Sequence, residues 1–131
     1  MRVEHVALWT DDLERLRDFY VEVLGARAGA RYANPRTGFA SYFLCFEHGP
    51  RLELMQRPDV TARPPGPILG WAHVAFSVAS REAVDAFAER LRAHGLAPEE
   101  GPRQSGDGYY ELAFRDLDGN RLEVVAEPAH P

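Results

Sequence analysis

The sequence predicts an α+β fold built from two tandem β-α-β-β-β modules, on three observations. EHVALWT at 4–10 recurs as AHVAFSV at 72–78. RLELM at 51–55 recurs as RLEVV at 121–125. Between the copies lies RPDVTARPPGPILG at 57–70, whose four prolines and two glycines suit a connector rather than a strand or helix. This repetition sets a first module at about 1–57, a linker at 58–69 and a second module at about 70–127, within one domain spanning 1–131.

Taken in order, each module opens on an alternating strand, 4–10 or 72–78. A helix follows. In the first module Asp11 or Asp12 can cap it, Leu13, Leu16, Tyr20, Val23 and Leu24 fall near a 3.6-residue period, and Gly25 ends it. In the second, Ser80 caps, Val84, Phe87 and Leu91 form the stripe, and Gly95 stops it. Three strands follow each helix, near 28–33, 39–47 and 50–56, then near 97–103, 109–115 and 121–126. LDGN at 117–120 is the turn between the last two.

Bulk composition narrows the function classes. The chain has 131 residues, enough for a real core, with 45% hydrophobic and 27% charged residues. The net charge of −5 and the lack of a basic cluster argue against a nucleic-acid partner. All 15 basic residues are arginine, which removes lysine Schiff-base chemistry and the P-loop. The single cysteine, Cys45, lies in the apolar run SYFLCF and reads as inert packing. The expected location is cytoplasmic and away from membranes: the first residues lack the features of a signal peptide, and no apolar run approaches the roughly 20 residues of a membrane helix.

Strand parity isolates four polar residues. His5, Ala7 and Trp9 share one face of their strand, opposite Val6 and Leu8; Arg51, Glu53 and Met55 oppose Leu52 and Leu54. In the second module His73, Ala75 and Ser77 oppose Val74, Phe76 and Val78, and Glu123 and Val125 oppose Leu122 and Val124. The all-apolar sets suit packing beneath the helices, so the sets with His or Glu face elsewhere. A curled sheet makes that face concave and lets the four converge. His5 and His73 are 68 positions apart, Glu53 and Glu123 70 apart, so the His-first, Glu-last frame is shared. Two imidazoles and two carboxylates suit a divalent transition metal, with two waters completing an octahedron. Calcium or magnesium would call for more oxygen ligands. His48, His94 and His130 read as structural or surface residues.

With the paired modules, HVALW, DFYVEVLG, RLELM, AHVAF and DLDGNRLEVV, nearly the whole chain resembles the vicinal oxygen chelate (glyoxalase, bleomycin resistance and dioxygenase) superfamily, in particular its small glyoxalase-I-like members. The resemblance implies a curled, partly closed mixed sheet around a metal site. It implies metal ligation by His5, Glu53, His73 and Glu123, with nickel, zinc, cobalt, manganese and iron all open. It implies homodimers, with sites within one chain or across two; open sheet edges favour pairing as well. A glutamate at position 53 points to the glyoxalase-like branch. There the activity is a lyase or isomerase reaction on a small α-oxygenated carbonyl compound, such as a methylglyoxal–thiol hemithioacetal, through an enediolate. Glu123 is then the proton-transferring base, with Glu53 its counterpart in the first module. Trp9, Phe43 and Met55 are candidates for an apolar wall around the small-molecule substrate. The chain departs from glutathione-using glyoxalases at Trp9, where they often carry an arginine, and at MQRP, which lacks their asparagine and offers Arg57 instead. The other readings are a non-catalytic protein binding a small molecule or antibiotic, and a metal-dependent thiol transferase or dioxygenase of the same superfamily.

Overall fold

A computed structural model describes residues 1–127 of the chain. His130 lies outside the described residues. The chain divides into two compact units, Met1–Pro65 and Gly66–Pro131.

The first unit runs β1 (His5–Trp9), α1 (Leu13–Glu22), β2 (Arg27–Ala28), β3 (Tyr32–Asn34), β4 (Phe39–Cys45) and β5 (Arg51–Gln56). Its strand order is β1-β5-β4-β2, with β3 also paired to β4. β1 and β5 are parallel and the remaining pairs antiparallel. Asp12 caps α1 by accepting from the Arg15 amide. Leu13, Leu16, Phe19 and Tyr20 are the buried helix residues, and they meet β4 and β5, whose inward side chains Leu44, Leu52 and Leu54 are buried. Gly25, at φ 74°, ends the helix in the left-handed region. Gln56 ties the strand end to the helix start. Its amide oxygen accepts from the Leu13 N–H at 3.0 Å and its amide nitrogen donates to the Asp11 carbonyl at 3.0 Å.

The second unit runs β6 (Val74–Val78), α2 (Arg81–Ala93), β7 (Glu100–Gln104), β8 (Tyr110–Arg115) and β9 (Arg121–Ala126), with strand order β6-β9-β8-β7. β6 and β9 are again the parallel pair. Ser80 caps α2 by accepting from the Ala83 amide. Val84, Ala88 and Leu91 are buried against Leu112, Phe114, Leu122 and Val124. Phe87 is half-buried and meets the Phe114 ring at 5.3 Å, while Ala88 takes the deeper place. The turn before β9 is organised by buried Asp116, whose carboxylate accepts from the amides of Asp118 and Asn120, both at 2.9 Å.

β4 ends at Cys45 and β6 begins at Val74, each two residues inside the expected range, and two strands differ further. The strand expected at 28–33 is two short strands. Ala28 pairs with Leu44 and Tyr32 with Ser41, so four steps on one side oppose three on β4, and the extra residue breaks the ladder. The strand expected from 97 begins at Glu100, and its register shifts between Glu100 and Arg103. Gly101 sits at that shift with φ 76°, and a Cβ there would stand 2.5 Å from the Glu111 carbonyl oxygen.

Candidate functional site

In the first unit the parallel β1–β5 register sets Ala7 beside Glu53 and His5 beside Arg51. Parity then puts His5, Glu53 and Trp9 on the sheet face away from α1, since Leu52 and Leu54 point to the helix. His5 Nε2 lies 3.9 Å from Glu53 Oε1. In the second unit His73 immediately precedes β6 rather than opening it, and its Nε2 lies 3.3 Å from Glu123 Oε2. Each glutamate side chain is only 15% exposed, whereas His5 and His73 keep about 42% and 39%. Both pairs thus have a carboxylate largely withdrawn from water and an imidazole edge open to it.

These pairs fit a metal ion in donor type and in spacing. Two ligands bound at about 2.1 Å and meeting at a right angle stand about 3 Å apart. The His73–Glu123 pair is close to that separation, and the His5–Glu53 pair lies within about 1 Å of it. Nitrogen and carboxylate oxygen together suit borderline transition metals. Among the described residues no group of three or more His, Cys, Asp or Glu side chains is gathered for an ion, so each unit by itself offers a pair.

The arginine two places before each glutamate shares its face and has its own partners. Arg51 is ion-paired with Glu4 and lies over the Phe43 ring, its guanidinium carbon 4.1 Å from the centroid. This pairing holds the Glu4 carboxyl below its usual range. Glu4 also stands 3.6 Å from His5 Nδ1, beyond hydrogen-bond length but beside the ring nitrogen that faces away from Glu53. Arg121 bonds Glu99 at 3.1 Å and Glu100 at 3.3 Å, and approaches Glu123 at 3.9 Å.

The three expected wall residues, Trp9, Phe43 and Met55, and the further substrate-contact candidate Arg57 all lie in the first unit. Phe43 is paired in register with Glu53, and its ring meets His5 edge-on at 5.4 Å. Met55 pairs with Trp9 one row along. Arg57 follows β5, with its guanidinium carbon 5.1 Å from the centroid of a Trp9 ring and its Nε donating to Asp59. A small open hollow of about 40 Å³ lies between Trp9, Thr10, Asp11 and residues 60–63. His48 and His94 are exposed, the latter closing the end of α2.

Sequence reading overlooked three neighbours. Phe39 and Tyr32 extend the aromatic face from Trp9, and strand parity from Phe43 was the available signal for Phe39. Glu111 on β8 pairs with Val125 and lines a small hollow with Glu123, Arg103 and Arg121. Burial and the nearby Glu123 carboxylate push its pKa up, Asp107 adds to this, and Arg103 and His73 oppose it. No local pattern marks Glu111, because its place beside Glu123 depends on the register of β8.

The two pairs, each beside a parallel strand pair backed by a helix, define a repeated α+β architecture with a polar pair per repeat. The sequence model of the Glyoxalase/Bleomycin resistance protein/Dioxygenase superfamily matches residues 2–124, and the chain belongs to that superfamily. It is 31% identical to a lactoylglutathione lyase of Haemophilus influenzae, over 95% of this chain and 92% of that one. It is 32% identical to a lactoylglutathione lyase of Escherichia coli O157:H7, over 97% and 93%. Among solved structures, a glyoxalase family protein from Enterococcus faecalis superposes with a TM-score of 0.77 at 30% identity, covering 94% of this chain and 95% of that one. The fold is therefore the glyoxalase fold.

Proposed function

We propose that the protein is a metal-dependent lyase of the glyoxalase I kind, acting on a small α-oxygenated carbonyl compound such as a methylglyoxal–thiol hemithioacetal. The carrying observation is the His–Glu pair in each unit, at 3.9 Å and 3.3 Å, in the same repeated frame. The lactoylglutathione lyases among its relatives support the reaction class.

In this reading His5, Glu53, His73 and Glu123 hold one divalent ion, within a chain or across two. When bound, the ion supplies a Lewis acid that favours negative charge developing on adjacent substrate oxygens. Glu123 takes the proton from one carbon and returns it to the next. Its low exposure helps, because a carboxylate set free in a desolvated setting gains proton affinity. Glu53 keeps mainly a holding role. Phe43, Met55 and Trp9 keep water from the reacting carbons.

The test is metal content of protein purified without chelator, with turnover on the methylglyoxal–glutathione adduct. His5→Ala and His73→Ala should each lose most bound metal. Glu123→Gln should keep its fold and some metal while kcat falls about 10²-fold. Glu53→Gln should weaken metal binding more than turnover at saturating metal. Full occupancy in both histidine variants overturns the ligand assignment. A larger kcat loss in Glu53→Gln than in Glu123→Gln moves the base to the first unit.

A further inference from the structure

Beside the row that holds Glu53 runs a second row of a different chemical kind. Across β1, β5, β4 and β3 the registered residues are Trp9, Met55, Ser41 and Tyr32. All four share the face of His5 and Glu53, and the row lies two residues along the strands, about 7 Å away. Phe39 joins from the end of β4. Its ring meets Trp9 edge-on at 6.3 Å and Tyr32 at 6.0 Å, so three rings form one connected strip. The strip is open, with Trp9 40% and Tyr32 55% exposed. Small Ala7, between His5 and Trp9 on the same face, leaves the approach from the pair to the strip clear.

The equivalent row of the second unit differs. Ser77, Val125, Glu111 and Arg103 occupy the matching register positions across β6, β9, β8 and β7. That row is small or charged, while the first is large and aromatic. Contacts among the rings help hold the sheet, but they leave Trp9 40% and Tyr32 55% exposed, and the second unit builds the same sheet without such rings.

We infer that Trp9, Phe39 and Tyr32 determine specificity by seating a planar aromatic group carried next to the substrate's vicinal oxygens. Flat unsaturated groups meet aromatic rings edge-on or offset, an attraction that adds to the burial of their area. The Arg57 guanidinium, 5.1 Å from the Trp9 ring and ion-paired with Asp59, helps fix the tryptophan in place. A flexible, polar carrier such as a peptide thiol gains little from such a strip. This inference rests on the proposed metal reading.

The test uses pairs of probes with one chelating head. Protein loaded with whichever of nickel or zinc it carries when purified is titrated calorimetrically with acetohydroxamate, phenylacetohydroxamate and cyclohexylacetohydroxamate. In the unmodified protein the phenyl probe should bind about tenfold tighter than acetohydroxamate, and tighter than the cyclohexyl probe. Trp9→Ala should bring the phenyl-to-methyl ratio near one, and Trp9→Phe should keep most of it. Tyr32→Ala, at an exposed site on a short strand, provides a second variant should Trp9→Ala fold poorly, and should lower the ratio in part. Equal binding of the phenyl and methyl probes, or a ratio untouched in both variants, overturns the inference while leaving the metal reading standing. No binding of acetohydroxamate at all overturns both.

Discussion

Glu111 sits where a carboxylate is poorly solvated and faces Glu123, so the folded protein resists its ionisation. Its folded pKa is raised, and the sign of the consequence follows. The stability tied to its neutral form is fully present below the unfolded pKa and is lost as pH rises through the folded one. Glu111→Gln, neutral at every pH, should therefore raise the Tm of the metal-free protein at pH 7. The gain should shrink on acidification and vanish below about pH 4, where the glutamate is protonated in both states. Thermal unfolding of both proteins between pH 4 and 8 in chelator checks this, and a lower Tm of the variant at pH 7 would refute it. The contrast with Glu53 and Glu123 shows what sequence carries at this scale. Those two announce themselves because each repeats in an identical local frame, RLE followed by apolar residues. Glu111 has no counterpart in the other module, and neither does Glu4, whose place beside His5 Nδ1 owes as much to its bond with Arg51 as to adjacency.

At the scale of elements, local chemistry fixes the helices and long-range pairing fixes the short strands. Ser80 and Asp12 cap as their residue types demand, and Ser80→Ala should cost about 1 kcal/mol by denaturant unfolding. The helices were legible because cap, period and terminal glycine all lie within one stretch of chain. The broken strand after α1 was not. Its extra residue exists only relative to β4, whose pairing the local sequence does not encode. The start of β7 has the same cause. Gly95 and Gly101 have nearly the same backbone, φ 74° and 76°, but a Cβ at Gly95 meets nothing within 4 Å while one at Gly101 meets the β8 backbone at 2.5 Å. Gly95→Ala should cost about 1 kcal/mol from the left-handed conformation alone. Gly101→Ala should cost about 2 kcal/mol or more, because backbone cannot yield as a side-chain tip does. Equal losses in the two variants would show that the β7–β8 backbone yields to the added methyl and would refute the prediction.

At the scale of the whole molecule, the expected solution state is a homodimer. The segment leading to His73 carries Ile68, Leu69 and Trp71 at 64%, 102% and 94% exposure. Three large apolar side chains within four residues, displayed to water, are more than the scattered surface hydrophobes of a monomer. No helix among the described residues is long and apolar enough to cross a membrane. Each sheet also ends in strands paired on one side within their own sheet, β1 and β2 in the first unit and β6 and β7 in the second, and such edges favour pairing with further chain. A second copy would supply both kinds of complement at once. Sedimentation at tens of micromolar should give twice the 14.7 kDa chain mass. Replacing Leu69 and Trp71 together by aspartate should shift the equilibrium toward monomer, since each charge would have to be desolvated on association. The helices should be unaffected, because both positions lie outside every element. Metal content of the same variant separates two arrangements. If the four ligands come from one chain, the monomer keeps its metal; if they come from two, metal is lost in step with the dimer. A wild-type protein that stays monomeric at high micromolar concentration would end the argument.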